Sequence, residues 1–229
     1  MPPPPAEIGV FGVVLEAFPE GGLWWADERL LVVADLHLEK GSSFAARGRM
    51  LPPYDTAETL ARLTALVCRL DPRVVVSLGD SFHDDAGWSR LGPRDALALA
   101  ALQVRREWVW IAGNHDAALP ARLPGMRLDT LSLGPITFRH EPSAGPADGE
   151  IAGHLHPAAR VIGRGKSVRR RCFAGDGRRL VMPAMGAYAG GLDIFDRAFA
   201  GLFAAPDLRA WMLGDNAVYA VAKRALARG

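Results

Sequence analysis

Hydrophobic residues in the first half of the chain form three short runs, and each run ends in a polar segment. The runs cover residues 29–34, 73–78 and 108–112 and are rich in β-branched or aromatic side chains, which is typical of buried strands. Helical spacing of apolar residues lies between them, at 55–70 and 92–104. Strands that alternate with helices predict a βαβ arrangement in which at least part of the sheet is parallel.

The remaining pattern predicts the other elements. Asp55 is predicted to cap the first helix, with Glu58 three residues later. The proline-rich residues 1–7 predict a flexible tail, and residues 42–53 predict a loop. After residue 116, apolar stretches between Gly and Pro residues predict a mostly β second half, packed on the first as one domain over residues 8–229. Its short strands are expected at 127–133, 135–140, 150–153, 159–163, 170–174 and 179–182.

Composition is that of a globular protein: of 229 residues, 49% are hydrophobic and 23% are charged. The net charge of +2 neither requires nor excludes nucleic acid as a partner. Two cysteines, Cys68 and Cys172, are too few for a disulfide framework. No apolar run approaches the ~20 residues of a membrane span, and the first residues do not resemble a secretory leader. We therefore expect a cytoplasmic protein without membrane association.

The polar segments at the strand ends carry five of the six histidines. In open α/β sheets, ligands bind at the carboxyl ends of strands, so these segments are candidates for chemistry. In chain order they read Asp35-x-His37, Gly79-Asp80, Gly113-Asn114-His115-Asp116, His140 and Gly153-His154-Leu155-His156.

This donor set favours a metal site. Oxygen ligands mixed with imidazoles suit Mn²⁺, Fe²⁺ or Zn²⁺, and the lack of cysteine ligands argues against structural zinc. The candidate donors are more than one ion usually takes, and they match two ions that share a bridging carboxylate. They are Asp35, His37, Asp80, Asn114, His140, His154 and His156.

In this order the motifs resemble those of the calcineurin-like metallophosphoesterases. The resemblance implies an α/β fold in which a sandwich of two mixed β-sheets is flanked by helices. It implies that Asp80 bridges two metal ions and that His115 is a catalytic group above them. The remaining ligands would divide into Asp35, His37 and His156 for one ion and Asn114, His140 and His154 for the other.

The chemistry that follows is phosphoester hydrolysis. Two ions can clamp the attacking and leaving oxygens of a displacement at phosphorus, with a bridging hydroxide as the nucleophile. His115 can protonate the leaving oxygen or stabilise developing charge. Asp116 is expected to orient the His115 ring, and the amide of Asn114 is expected to touch the phosphate as well as a metal.

A narrower resemblance lies in residues 35–44 and 51–56 and in the loop 183–191, which are similar to the bacterial ligase-associated DNA-repair metallophosphoesterases. This resemblance implies a phosphodiesterase or DNA endonuclease that acts on single-stranded DNA or accessible ends. Mn²⁺ is then the favoured ion, and DNA-repair ligase or helicase proteins are candidate partners. Two alternatives remain: a phosphoesterase acting on small nucleotides, and a non-catalytic scaffold of the same fold. The full set of catalytic groups argues against the scaffold.

Residues outside the ligand set are candidates for substrate contacts. Arg47 and Arg49 have the planar fork that suits phosphate, and His83 follows the predicted bridging residue. For each of them, an ordinary surface position is the alternative. A basic cluster can follow a nucleic-acid backbone or form a solvated face. It consists of Arg160, Arg164, Lys166, Arg169, Arg170, Arg171, Arg178 and Arg179.

Overall fold

The computed structural model describes residues 5–116, 119–163 and 165–228. The helices of the described residues are α1 (Lys40–Ala46), α2 (Asp55–Leu70), α3 (Gly87–Arg90) and α4 (Pro93–Gln103). The strands of the first half are β1 (Ala6–Val10), β2 (Val13–Ala17), β3 (Leu23–Trp25), β4 (Leu30–Val33), β5 (Val74–Leu78), β6 (Glu107–Ile111) and β7 (Met126–Leu128). Those of the second half are β8 (Thr130–Leu133), β9 (Ile136–Arg139), β10 (Glu150–Ala152), β11 (Pro157–Gly163), β12 (Lys166–Gly175), β13 (Arg179–Val181), β14 (Leu192–Asp193), β15 (Arg209–Leu213), β16 (Val218–Ala222) and β17 (Leu226–Ala227).

The first sheet contains β1 to β7 in sequence order. β1 to β4 pair antiparallel, and β4 to β7 pair parallel. This pairing confirms the parallel βαβ part that the alternation of strands and helices predicted. β4 and β5 are buried at every position, as expected for parallel strands covered on both faces.

The second sheet has the order β14-β11-β12-β13-β10-β9-β8, with β15 and β17 joined to β12 and β11. It is mixed as well: β10 pairs parallel with β9 and with β13, and β8 pairs antiparallel with β9. The mostly β character predicted for the second half is confirmed.

Side chains along β4, β5 and β6 point alternately to the two faces of the first sheet. One face packs against the second sheet, and the other packs against the helices. Val32, Val76 and Ile111 point into an apolar core shared with Phe138 and Ile151 of the second sheet. The opposite faces pack against α2 and α4 in a second core, whose members include Leu31, Val33, Val75, Trp108, Trp110, Leu60, Leu63, Leu66, Leu99 and Leu102. The fold is therefore the predicted α/β sandwich of two mixed sheets with helices packed outside.

The strand predicted at 127–133 is divided between β7 of the first sheet and β8 of the second. Three predictions of secondary structure for the first half of the chain are also wrong. Ala6 and Glu7 belong to β1 and pair with β2, so the strand begins inside the predicted tail. Residues 40–46 form α1 rather than a loop, although Gly and Ser are weak helix formers. Asp55 is not the cap of α2 but its first residue. Its carboxylate instead accepts a hydrogen bond from the Gly41 N–H at 2.9 Å, and this contact stabilises α1.

The last part of the chain adds elements that the sequence pattern did not predict. β15 and β16 form an antiparallel pair at the end of the second sheet. None of the helices within the described residues is long and apolar enough to cross a membrane.

Candidate metal centre

The motif residues converge because the strands that carry them end side by side. Asp35, Asp80 and Asn114 follow β4, β5 and β6, which are parallel neighbours. His140 and His154 follow β9 and β10, a parallel pair in the second sheet. The carboxyl ends of both parallel groups meet at one edge of the sandwich, as ligand sites in α/β sheets generally do.

The backbone at this edge is held in an unusual conformation. Five of the motif residues have φ in the left-handed region: 52° for Asp35, 44° for His37, 47° for Asp80, 68° for His154 and 45° for His156. Such conformations cost about 1–3 kcal/mol each when they are strained, and they cluster at functional sites. The surrounding fold offsets this cost, and the side chains are thereby aimed at a common point.

One ligand group consists of Asp35, His37 and His156. His37 Nε2 lies 3.3 Å from His156 Nε2, and His156 Nε2 lies 3.3 Å from Asp35 Oδ1. The backbone N–H of His154 donates to Asp35 Oδ2 at 3.0 Å, which fixes the carboxylate. The three donor atoms lie within 4.8 Å of one another, so a single cation can reach all of them.

The second group consists of Asp80, His140 and His154. His140 Nδ1 lies 2.8 Å from the Leu78 carbonyl oxygen, so this nitrogen carries the proton and Nε2 presents a lone pair. Asn114 Oδ1 at 2.9 Å and His154 Nδ1 at 3.1 Å face that same Nε2. An amide oxygen cannot donate a hydrogen bond to it. Lone pairs directed at one point in this way fit a cation.

Asp80 lies between the two groups. Its Oδ1 is 3.5 Å from His140 Nε2 in the second group, and its Oδ2 is 3.9 Å from His37 Nε2 in the first. The carboxylate is buried, with 2% of the residue exposed. Its two oxygens therefore face different clusters, which is the geometry that a bridging ligand requires.

Two glycines leave the space that these ligands occupy. A Cβ at Gly79, where φ is +77°, would lie 2.4 Å from His140 Nδ1. A Cβ at Gly113 would lie 2.2 Å from the Asp80 backbone nitrogen and 2.3 Å from Oδ1. Both motifs therefore need a glycine beside the ligand. The sequence shows these two glycines, but the pattern alone did not predict why they are needed.

A family model described as calcineurin-like phosphoesterase matches residues 28–177, more than half of the chain. The chain belongs to the calcineurin-like phosphoesterase family. The match covers every metal-ligand motif of the centre. With its two ligand groups, this family member is a metal-dependent phosphoesterase.

Solved structures that resemble this phosphoesterase include a nuclease, MPE, from Pseudomonas putida. It is 28% identical, the alignment covers 95% of this chain and 100% of that one, and the TM-score is 0.72. A phosphoesterase from E. coli, Yfce, is 15% identical over 84% of this chain and 98% of its own, with a TM-score of 0.39. A comparison with curated proteins gave no match.

Burial favours the neutral form of two ligand imidazoles of this metallophosphoesterase, those of His37 and His154. Desolvation, helped by the charges of His156 and Lys40, lowers the pKa of His37 to about 2. The pKa of His154 is lowered as well, first by burial and then by His140. A neutral imidazole can donate its lone pair to a metal without first losing a proton. The donor set, which contains no thiolate, suits Mn²⁺, Fe²⁺ or Zn²⁺.

His115 stands at the exposed side of the centre, with 43% of its side chain accessible. Its Nε2 is 3.9 Å from Asp80 Oδ2, and its Nδ1 is 3.1 Å from the His83 carbonyl oxygen. The His83 ring stacks on it, with centroids 5.4 Å apart and an interplanar angle of 20°. Nδ1 therefore carries the proton when the ring is neutral, and Nε2 is directed towards the metal side.

Asp116 does not orient His115, contrary to expectation. Its Oδ2 accepts a hydrogen bond from the backbone N–H of Phe82 at 3.0 Å, whereas the His83 carbonyl orients the His115 ring. Asp116 is buried, and burial raises its pKa to about 6. The residue fixes the segment after Asp80 instead of acting on the imidazole.

Arg47 and Arg49 lie outside the ligand groups and are exposed. Together with Phe44 they line a cavity of about 330 Å³. Phe44 belongs to α1, and its ring centroid is 5.7 Å from that of His83. Sequence reasoning missed Phe44 because α1 was interpreted as a loop.

The loop 183–191 supports the first ligand group from behind. The Gly186 N–H donates to the Asp35 carbonyl at 3.1 Å. Two arginines anchor this loop: Arg171 donates to the Ala184 carbonyl at 2.7 Å, and Arg62 donates to the Met185 carbonyl at 3.0 Å. The loop therefore holds the backbone that positions Asp35.

The basic cluster does not form a continuous free cationic surface in the described residues. Arg179 is buried and donates to Glu150 at 2.6 Å, so it cannot contact DNA. Arg171 is committed to the loop carbonyl, and Arg178 pairs with Asp148 at 2.6 Å. Lys166 and Arg170 are exposed, and Arg164 lies outside the described residues. The interpretation as a nucleic-acid track is wrong for Arg171 and Arg179, which have structural contacts.

Proposed function

We propose that this chain is a dinuclear metal-dependent phosphodiesterase that cleaves single-stranded DNA. One observation supports the dinuclear part above others: Asp80 directs its two oxygens at two separate ligand groups, each able to hold an ion. In this proposal Asp35, His37 and His156 bind one ion, and Asn114, His140 and His154 bind the other.

When bound, two divalent ions supply Lewis acidity to the phosphate and generate the nucleophile from water. The residues of the chain supply the remaining steps. Asp80 keeps the two ion sites in register. As the imidazolium, His115 donates the proton on Nε2 to the leaving oxygen and becomes the neutral ring with its proton on Nδ1, a role that its exposure beside Asp80 supports. The His83 carbonyl holds Nδ1–H of that ring during the transfer.

DNA as the substrate is supported by similarity to a nuclease, and the metal centre itself does not distinguish between phosphoester substrates. The Pseudomonas putida nuclease aligns over its full length at 28% identity. The resemblance of residues 35–44 and 51–56 to the ligase-associated proteins extends the proposal to DNA repair, with Mn²⁺ as the working ion and repair ligases or helicases as partners. Cytoplasmic location is part of the same proposal.

A substrate panel tests this function. Protein is stripped with a chelator, reloaded with Mn²⁺, and assayed on bis-p-nitrophenyl phosphate, p-nitrophenyl phosphate and a single-stranded oligonucleotide. We expect metal-dependent hydrolysis of the diester and cleavage of the oligonucleotide. Hydrolysis of the monoester alone would replace the proposal with a small-molecule phosphatase. No hydrolysis with Mn²⁺, Fe²⁺ or Zn²⁺ despite bound ions would favour a scaffold.

A further inference from the structure

The cavity beside α1 has features that the phosphoester chemistry does not use. Residues 40–54 include three cationic and two aromatic residues but no Asp or Glu. Among the described residues, no ion pair involves Arg47 or Arg49, whereas nine other arginines are paired. Two free guanidinium groups on one loop form a local concentration of positive charge with the planar geometry that suits phosphate.

This charge lies next to the catalytic side of the metal centre. Phe44 joins the cavity to His83, since the two rings are 5.7 Å apart, and His83 in turn stacks on His115. Burial lowers the pKa of His83 to about 4, and the nearby charges of Lys40 and Arg47 contribute to this shift. A substrate with its scissile phosphate beside His115 would therefore extend naturally towards Phe44 and Arg47.

α1 is held in place rather than loosely attached. Its Gly41 N–H donates to Asp55, and Arg90 of α3 donates to Ser42 at 2.9 Å. Arg90 also pairs with Asp84, the neighbour of His83, at 2.7 Å. The Phe44 ring is thus fixed relative to the His83 segment, so the cavity is preorganised for a ligand.

We propose that Phe44, Arg47 and Arg49 form a subsite that binds the nucleotide adjacent to the scissile phosphodiester of a single strand. The two arginines bind its phosphate, and Phe44 stacks on its base. Cationic groups beside an aromatic ring are the usual means of binding single strands without sequence preference. The subsite rests on the proposed function, because it explains how a phosphodiesterase of this kind would prefer a polynucleotide to a small diester.

The first test is the double variant Arg47→Ala/Arg49→Ala. The measured quantity is the ratio of kcat/KM for a dT12 oligonucleotide to kcat/KM for bis-p-nitrophenyl phosphate, which has no second phosphate for Arg47 and Arg49 to bind. We expect this ratio to fall about tenfold or more, since charge-assisted hydrogen bonds to phosphate are lost. The slope of log(kcat/KM) against log[salt] for dT12 becomes shallower by about 0.7, the value for one neutralised phosphate of a single strand.

The matched control is Arg29→Ala/Arg73→Ala. These arginines are exposed and precede β4 and β5, at the opposite edge of the sheet. The control changes the net charge by the same amount and should leave both the ratio and the salt slope unchanged. Arg47→Lys/Arg49→Lys keeps the charge and should restore the salt slope.

Stacking is tested with Phe44→Leu and an abasic 12-mer. Wild-type protein should cleave dT12 with a kcat/KM about fivefold or more above that for the abasic strand, and Phe44→Leu should lose this difference. An unchanged ratio and salt slope in the double arginine variant would overturn the subsite while leaving the proposed function intact. Failure of wild-type protein to hydrolyse either substrate would instead overturn the proposed function, and the subsite with it.

Discussion

The backbone N–H of His115 donates a hydrogen bond of 2.9 Å to Oδ1 of Asp80. The carboxylate between the two ligand groups therefore also fixes the loop that carries the exposed histidine. This contact links the position of the proposed proton donor to the position of the proposed bridging ligand. A change at Asp80 should disturb both the metal ligands and the proton donor, whereas a change confined to the His115 ring should disturb only the proton donor.

Replacement of His115 by Ala should separate catalysis from metal binding. The variant keeps the backbone N–H that contacts Asp80, so metal content should equal that of the wild-type protein. Turnover of single-stranded DNA should fall about 10²- to 10⁴-fold, the range for loss of a general acid or base. Elemental analysis and rate measurements on the same preparation check this.

The leaving group provides the control for the His115 variant. A p-nitrophenolate leaves without needing a proton, whereas a DNA alcohol oxygen needs one, so bis-p-nitrophenyl phosphate hydrolysis should fall less than DNA cleavage. Metal loss in proportion to the loss of activity would show that His115 is a ligand, contrary to the role assigned here.

Replacement of Gly79 by Ala should disrupt the second ligand group. The new Cβ would lie 2.4 Å from His140 Nδ1 at a φ of +77°, so His140 must move away from the Leu78 carbonyl. We expect weaker metal binding and a loss of about 1–3 kcal/mol in the free energy of unfolding. Calorimetric metal titration and denaturant unfolding measure the two effects.

Gly92→Ala is the matched substitution. Gly92 precedes α4 with a φ of −64°, and a Cβ there would meet nothing within 4 Å. Its metal affinity should match that of the wild-type protein. Equal metal affinities of the Gly79→Ala and Gly92→Ala variants would show that Gly79 is not required for the position of His140.

Asp116 should make the metal-free protein less stable as the pH rises. Burial raises the pKa of its carboxyl group from 3.8 to about 6, so the folded protein binds this proton more tightly than the unfolded chain does. The folded state is therefore favoured below about pH 4 and loses this advantage as the pH rises through 6. The difference of about 2 pKa units corresponds to about 3 kcal/mol.

Asp116→Asn removes this dependence, because the amide does not titrate and its oxygen can still accept from Phe82. Denaturant unfolding at pH 4 and pH 7, in the presence of a chelator, should show that the free energy of unfolding of the variant gains about 2 kcal/mol over that of wild type between the two pH values. A constant difference between the proteins at both pH values would contradict a buried, destabilised carboxylate.

The sequence predicted most of the fold because the strands that matter are fully buried. β4 is a continuous apolar run and β5 is interrupted only by Ser77, and the ends of both strands are marked by the polar motifs. The ligand residues were recognisable for the same reason, since a carboxylate or imidazole directly after such a strand has no packing role.

What the sequence did not reveal depends on contacts between distant segments. α1 contains weak helix formers and is stabilised by Asp55 and Thr56 of α2, so no local pattern could predict it. The carboxylate of Asp116 turns towards Phe82, 34 residues away, although its neighbour in the chain is His115. Arg179 looked like a surface cation and is instead buried against Glu150, a partner that the sequence does not place beside it.

The dinuclear centre is tested most directly by metal stoichiometry measured together with diester hydrolysis, in wild-type protein and in Asp80→Asn. Protein is stripped of metal, reloaded with Mn²⁺, and freed of excess ion before elemental analysis. Asp85→Asn is the matched control, because Asp85 is exposed in the same loop. We expect two ions per chain in the wild-type protein and the control. In Asp80→Asn we expect a loss of bound ion and a loss of hydrolysis of about 100-fold or more. Full hydrolysis by Asp80→Asn, or by wild-type protein holding a single ion, would contradict a centre joined by Asp80.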